Sequence, residues 1–101
     1  MTIYAIEFVP SALKEWGKLD SDTRDQFTKK LAQVAENPHI PSAKMRGHPN
    51  AYRLKARTKG YRLISEVEDG IVTVFIVAIA RRERGEVFEL GLRRIRARRE
   101  R

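Results

Sequence analysis

The sequence predicts an α+β fold: two N-terminal helices packed on a mostly antiparallel four-stranded sheet, then a short C-terminal helix, in the order β-α-α-β-β-β-α. Two segments have apolar residues at helical spacing, and they follow one short segment in which apolar and polar residues alternate. Three later segments have the alternation or the continuous apolar character of strands. The chain has 101 residues, a usual length for one domain, so residues 1–101 are expected to form a single domain.

The first strand and the first helix are expected at the N-terminus. Apolar and polar side chains alternate over residues 2–8, which is the strand period. Ser11 follows a proline and is a candidate N-cap for a helix over residues 11–19. Leu13 and Trp16 are three residues apart, so we expect both to lie on the buried face of that helix.

A second, longer helix is expected to begin near Asp20, which can cap it, and to end before Pro38. The apolar residues that form its buried stripe are Phe27, Leu31 and Val34. The same periodicity places Lys29-Lys30 toward water. The following loop is rich in proline and contains both histidines of the chain, so we expect solvated imidazoles there.

The next strand, at about residues 51–57, has two faces of opposite chemistry. Its inward side chains are Tyr52, Leu54 and Ala56, and its outward side chains are Arg53, Lys55 and Arg57. This alternation puts one face on a core and displays three cations in a row on the other.

Two further strands and a helix complete the predicted fold. Residues 61–67 and 71–80 are predicted strands, and Asp69-Gly70 between them is typical of a hairpin turn. The later strand is almost continuously apolar, as expected of a central strand covered on both sides. A final helix is expected from about residue 83, weakened by its glycines, and residues 92–101 form an Arg-rich C-terminal extension.

The charge distribution indicates an anionic partner. Lys and Arg number 21 against 13 Asp and Glu, which gives a formal net charge of +8 and favours binding to polyanions. Residues 44–64 contain no acidic side chain and seven cations, namely Lys44, Arg46, Arg53, Lys55, Arg57, Lys59 and Arg62. A membrane surface favours a basic amphipathic helix over basic strands, so we expect no membrane partner.

The composition excludes several classes of site. The chain contains no Cys, so disulfides, thiolate metal ligands and a Cys nucleophile are excluded, and two histidines do not predict a zinc site. We expect neither a metal nor a cofactor. No apolar run reaches the ~20 residues of a membrane span, and the N-terminus lacks the pattern of a signal peptide, so we expect a cytoplasmic protein.

The basic strand face suits RNA chemistry. RNA carries its own nucleophile, the 2′-OH, so an enzyme needs to align it, take its proton and stabilise charge at the phosphorus. Neighbouring cations disfavour the protonated form of an amine, which makes Lys55 the candidate proton acceptor. Arg53, Arg62 and Arg82 are expected to clamp phosphate in bidentate geometry. A passive surface that binds the RNA backbone would use the same side chains, so this alternative stays open.

Five short segments, in the same order and with similar gaps, resemble the RelE branch of the RelE/ParE toxin superfamily over about residues 3–95. They are Ala12-Leu13-Lys14-Glu15-Trp16, Lys44-Met45-Arg46-Gly47, Tyr52-Arg53-Leu54-Lys55, Gly60-Tyr61-Arg62-Leu63 and Arg81-Arg82-Glu83-Arg84-Gly85-Glu86-Val87-Phe88. The resemblance implies the small RelE-like fold and a type II toxin that cleaves mRNA in the ribosomal A site without a metal. It implies as partners the ribosome with its small-subunit rRNA, mRNA, a cognate RelB-like antitoxin and, through that antitoxin, operator DNA.

The resemblance also assigns roles to individual residues. Lys55 matches the family's proposed general base, and Arg62 and Arg82 match its phosphate-contacting and charge-stabilising arginines. Arg53 stands where the best-known members have a second lysine, and Phe88 stands where they have a tyrosine that stacks on the mRNA base. A phenyl ring can stack, but it has no hydroxyl to donate, so both full and attenuated activity stay open. The residues expected to bind RNA around these are Phe88, Lys44, Arg46, Arg57 and Arg81.

Two other functions stay open from the sequence. One is a non-catalytic or attenuated toxin that acts as an antitoxin partner and co-repressor, and the other is a ParE-like inhibitor of gyrase. ParE-type members keep the fold without the row of cations. The presence of that complete row therefore favours the endoribonuclease.

Overall fold

Four strands and three α-helices form the protein, whose computed structural model describes residues 2–81 and 86–100. The strands are β1 (Ala5–Phe8), β2 (Ala51–Lys55), β3 (Tyr61–Glu68) and β4 (Thr73–Arg81), and the helices are α1 (Pro10–Gly17), α2 (Ser21–Glu36) and α3 (Glu86–Arg99). The strands form one sheet in the order β1-β4-β3-β2. Only the β1–β4 pairing within it is parallel. The predicted α+β class and element order are confirmed.

Helices cover both faces of the sheet. Phe27 of α2 belongs to a buried cluster with Leu63 of β3, whereas Ile95 of α3 belongs to a second buried cluster with Ile64. Leu63 and Ile64 are successive residues of one strand, and successive side chains point to opposite faces. The α1 and α2 helices therefore pack on one face of the sheet and α3 packs on the other.

The first helix differs from its prediction in two details. The predicted N-cap role of Ser11 is wrong, since the helix begins one residue earlier, at Pro10, without a side-chain cap. The fixed φ of proline already suits the first helical position. Leu13 is 55% exposed, also contrary to prediction. The buried face of α1 contains Ala12 and Trp16, which are one helical turn apart.

The second helix begins as predicted, with Asp20 as its N-cap accepting a hydrogen bond from the Thr23 backbone N–H (Oδ2···N 3.1 Å). Its predicted stripe of Phe27, Leu31 and Val34 is buried. The prediction that both central lysines face water is wrong for Lys30, whose Nζ donates a hydrogen bond to the backbone carbonyl of Lys55. This contact joins α2 to the outer edge of β2.

The predicted hairpin between β3 and β4 is present, but its turn is longer than a two-residue turn. A short 3-10 helix covers Asp69–Ile71, and Val72 adopts a left-handed conformation with φ of 50°. Ile71, predicted to begin the central strand, therefore lies in the turn and is 58% exposed.

A β-bulge in β4 sets which residue of that strand neighbours the basic face of the sheet. Val77 is an extra residue between the partners of Ile64 and Ser65. Beyond the bulge, Ala80 pairs with Arg62. The end of β4 thus lies directly beside Arg62 of β3 and one strand away from the cations of β2.

The third helix continues through Arg99, so residues 92–99 of the predicted extension form its C-terminal half. Gly91 lies on its buried face, where a Cβ atom would be 2.7 Å from Ile64 Cγ2. Glycine here does more than weaken the helix. It permits α3 to approach β3 closely enough to cover the second face of the sheet.

Candidate functional site

The β2–β3 pairing brings three of the predicted catalytic cations onto one face of the sheet. Lys55 is directly opposite Arg62, and Arg53 is opposite Ile64; such cross-strand neighbours have Cβ atoms about 4.5–5.5 Å apart. The alternate residues of β2 are buried on the α1/α2 side, among them Leu54. Arg53, Lys55 and Arg62 therefore lie on the α3 side, where Lys55 is exposed and the two arginines are half-buried.

Phe88 of α3 lies against this group. The guanidinium carbon of Arg53 is 5.3 Å from the centroid of the Phe88 ring, a cation–π contact. Arg53 Nε is buried and has no hydrogen-bond partner within the part of the chain that the structure describes. The half-buried Phe88 ring also packs against the α3-side cluster, so it contacts both the core and the predicted site.

The other predicted cations lie outside this group, and Arg81, which pairs with Tyr61 of the α1/α2-side cluster, lies on the opposite face of the sheet. Lys44 makes an isolated β-bridge with Tyr52 at the outer edge of β2, and Arg46 and Arg57 are exposed. Arg81 is exposed at the end of β4, with its guanidinium carbon 5.3 Å from the centroid of the Tyr61 ring. Arg82 lies outside the described residues.

Two further cations of the basic surface make polar contacts with other groups of the protein. Lys59 pairs with Asp20 (Nζ···Oδ2 2.9 Å), and hydrogen bonds from Thr23 and Lys59 lower the pKa of the Asp20 carboxyl. Arg62 donates from Nη1 to the Tyr61 carbonyl at 3.1 Å. This bond keeps the Arg62 side chain close to the sheet surface.

Several arginines of α3 form ion pairs within the protein. Arg94 makes two hydrogen bonds to Glu15, at 2.9 and 3.1 Å, and a third to the Val77 carbonyl at 2.9 Å. The Arg98 guanidinium lies 3.8 Å from the Phe75 ring centroid. These arginines attach α3 to α1 and to the sheet, which limits their contribution to an RNA-binding surface.

Glu66 gathers further contacts at the C-terminal end of α3. This fully buried carboxylate accepts hydrogen bonds from Arg98 (2.5 Å) and Arg99 (2.6 Å). His48 Nε2 lies 3.4 Å from it, and His48 Nδ1 accepts the Asn50 N–H. His48 is therefore bound within the protein, contrary to the predicted solvated imidazole. The sequence signal for this partnership was an acidic residue, Glu66, inside the strand predicted over residues 61–67.

His39 is exposed, as predicted, and it also has partners within the protein. Its Nδ1 is 2.7 Å from the Tyr52 hydroxyl, and its Nε2 is 2.8 Å from Asp69 Oδ1. Tyr4 donates to the same carboxylate at 2.6 Å. Hydrogen bonds from Tyr4 and His39 lower the pKa of Asp69. The cluster ties the loop after α2 to the β3–β4 turn.

Residues 2–81 and 86–100 contain no group of three or more His, Asp or Glu side chains placed to hold a metal ion. In the same ranges no helix is both long and apolar enough to cross a membrane.

Known proteins match this chain over most of its length. The family model described as the ParE toxin of the type II toxin-antitoxin system, parDE, matches residues 6–86. The mRNA interferase toxin RelE of Escherichia coli (strain K12) is 46% identical over 92 residues, covering 91% of this chain and 97% of the relative. A putative RelE-like toxin protein of Escherichia coli is 45% identical over 93 residues, covering 92% and 98%.

Solved structures give the same result. A free E. coli toxin RelE with two arginine-to-alanine substitutions superposes with a TM-score of 0.86 at 42% identity, covering 93% of this chain and 99% of that one. The intact E. coli RelBE toxin-antitoxin complex matches with a TM-score of 0.77 at 46% identity, covering 80% and 99%. The chain therefore belongs to the RelE/ParE superfamily of type II toxins, in its RelE branch.

Proposed function

We propose that the protein is a ribosome-dependent endoribonuclease that cleaves mRNA in the A site, without a metal ion, by attack of the 2′-OH on the adjacent phosphate. The observation that carries the proposal is the placement of Lys55 directly opposite Arg62 on the basic face of the sheet. A relative with 46% identity is named an mRNA interferase, which supports mRNA as the substrate of this chain.

In this mechanism the Lys55 amine takes the proton of the 2′-OH as the 2′-oxygen attacks phosphorus. The P–O5′ bond breaks, the leaving 5′-oxygen takes a proton from solvent water, and the products are a 2′,3′-cyclic phosphate and a 5′-hydroxyl. The Lys55 ammonium then returns its proton to solvent. Arg62 stabilises the charge that develops on the phosphoryl oxygens. By the family resemblance Arg82 would share this role.

Phe88 and Arg53 have supporting roles in the proposal. Because the Arg53 guanidinium contacts the Phe88 ring, one face of the ring is supported while a base stacks on the other. Base stacking on an aromatic side chain contributes about 1–3 kcal/mol. A guanidinium group does not exchange its proton in general-base chemistry, so Arg53 contributes charge and no proton transfer.

The proposed partners are the ribosome with its small-subunit rRNA, mRNA and a RelB-like antitoxin. The net charge of +8 favours rRNA, and the exposed cations Lys44, Arg46, Arg57 and Arg81 would contact its backbone. A matched E. coli relative was solved in complex with its antitoxin, which supports an antitoxin as partner. The family resemblance adds operator DNA, reached through that antitoxin. In this proposal residues 1–101 act as one toxin domain in the cytoplasm.

The test is primer extension on translating ribosomes under single-turnover conditions. The wild type should cut at codon positions, and Lys55→Ala should lower the rate by about 10²–10⁴-fold, the usual range for a general base. Lys29→Ala removes the same charge from an exposed position of α2 and should leave the rate unchanged. An mRNA with a 2′-deoxy sugar at the cleaved position should stay intact.

Equal rates for Lys55→Ala and Lys29→Ala would remove Lys55 from the role of base. Ribosome binding without cuts would instead support the non-catalytic antitoxin partner, and inhibition of purified gyrase would support the ParE-like function.

A further inference from the structure

A row of polar contacts, here called the polar seam, joins α2 and its N-cap to residues 55–59. Its contacts are Lys59 Nζ to Asp20 Oδ2 at 2.9 Å, Gln26 Nε2 to Thr58 Oγ1 at 3.1 Å, the Arg57 N–H to Gln26 Oε1 at 2.7 Å, and Lys30 Nζ to the Lys55 carbonyl. Later residues of α2 therefore contact earlier residues of the 55–59 segment, so the helix and this segment run in opposite directions along the seam.

Helix periodicity places the seam beside the core. Gln26 and Lys30 are four residues apart and so lie on the same side of α2. Each directly precedes a residue of the buried stripe, Phe27 and Leu31 respectively. Packing of that stripe on the sheet fixes α2, and the neighbouring polar row is thereby held within reach of the end of β2.

The last two contacts of the seam, at Arg57 and Lys55, are made to backbone groups. Lys55 is the last residue of β2, which lies at the edge of the sheet. On one side its strand pairs with β3. On the other side, where the described residues include no further strand, Lys30 donates to the Lys55 carbonyl and Gln26 accepts the Arg57 N–H. The main chain on either side of residue 56 is therefore held from α2.

We propose that Gln26 and Lys30 are positioning residues for the base of the cleavage reaction. They hold the backbone at residues 55–57 so that the Lys55 amine stays opposite Arg62 during proton transfer. The inference rests on the proposed function, because it concerns the same Lys55. Neither side chain contacts RNA in this role, so loss of either should change the rate of the chemical step and leave binding intact.

Lys30→Met tests the first contact, because it keeps the length and packing of the stem and removes the ammonium. Displacement of a reacting group by about 1 Å can cost 10²-fold, so we expect the single-turnover cleavage rate to fall about tenfold. Affinity for ribosomes should match that of Lys29→Met, an adjacent exposed lysine that serves as the control for charge. Lys30→Arg, which can still donate to the carbonyl, should restore the rate.

Gln26 offers a matched pair of variants and a readout that does not depend on cleavage. Gln26→Glu keeps an oxygen to accept the Arg57 N–H, whereas Gln26→Met removes it. We expect amide hydrogen exchange at Arg57 to be about tenfold faster in Gln26→Met than in Gln26→Glu, as for a locally opened strand end. The cleavage rates of the two variants should follow the same order.

The outcomes separate this inference from the function on which it rests. If the wild type cleaves and Lys30→Met cleaves as fast as Lys29→Met, the positioning role is wrong and the proposed function stands. A rate that falls in Lys30→Met and is not restored by Lys30→Arg also overturns the role of the hydrogen bond. Unchanged exchange at Arg57 in Gln26→Met rejects the seam as a restraint. A wild type that never cleaves rejects both proposals.

Discussion

Replacement of Glu66 by Gln tests the attachment of α3 to the sheet at its most buried contact. Glu66 is fully buried and accepts hydrogen bonds from Arg98 and Arg99 at 2.5 and 2.6 Å. An amide keeps the size of the side chain and one acceptor oxygen, but it removes the negative charge. Two guanidinium groups then lose the carboxylate that compensates them.

The structure limits the size of the effect. Breaking a buried ion pair by removing one partner usually costs about 3–5 kcal/mol. Arg98 keeps a second acceptor in Glu68, at 2.6 Å, and the Arg99 side chain is 47% exposed and regains water. We therefore expect the lower end, a loss of about 3 kcal/mol in the free energy of unfolding, or a fall in Tm of about 10–20 °C for a domain of this size.

Urea unfolding followed by circular dichroism measures this loss. Glu100→Gln makes the same chemical change at an exposed position and should alter the free energy of unfolding by less than ~0.5 kcal/mol. A smaller loss in Glu66→Gln than about 1 kcal/mol, with an unchanged m-value, would refute the view that the terminal arginines serve to attach α3.

Three further changes test other parts of the structure. Gly91→Ala places a methyl group 2.7 Å from Ile64 Cγ2. It should therefore destabilise the protein by about 1–3 kcal/mol, although alanine has the better helix propensity. A higher Tm in this variant would contradict the close approach of α3 to β3. Hydrogen bonds from Thr23 and Lys59 lower the pKa of Asp20 in the folded state, so the unfolded chain binds this proton first as the pH falls, and the free energy of unfolding declines below about pH 5. Asp20→Asn should flatten that decline, measured as urea midpoints between about pH 5 and 3. An unchanged slope would reject the stabilising role of the Asp20 carboxylate. Phe88→Tyr should raise single-turnover cleavage by roughly 10- to 150-fold if a tyrosine hydroxyl donates to a charged group in the transition state, and an unchanged rate would limit the role of Phe88 to ring contacts.

The sequence predicted the elements and the composition of the basic face with few errors. Alternation along β2 identified Arg53 and Lys55 as outward residues because the strand period depends only on local geometry. The errors occurred where tertiary packing decides which of several apolar residues on an element is buried. Leu13 has a residue type and a spacing suited to burial, yet the rotation of α1 on the sheet buries Ala12 instead.

Residue order and type by themselves determined the α+β class, the row of cations on β2 and the resemblance to the toxin superfamily, because periodicity and motif order are properties of neighbouring residues. Only the tertiary structure decided which cations are engaged within the protein. Arg94 pairs with Glu15 and Lys30 reaches the Lys55 carbonyl, both across long stretches of chain. Ion pairs and hydrogen bonds act over a few ångströms in space, so a charge count along the sequence cannot separate a free arginine from one already paired.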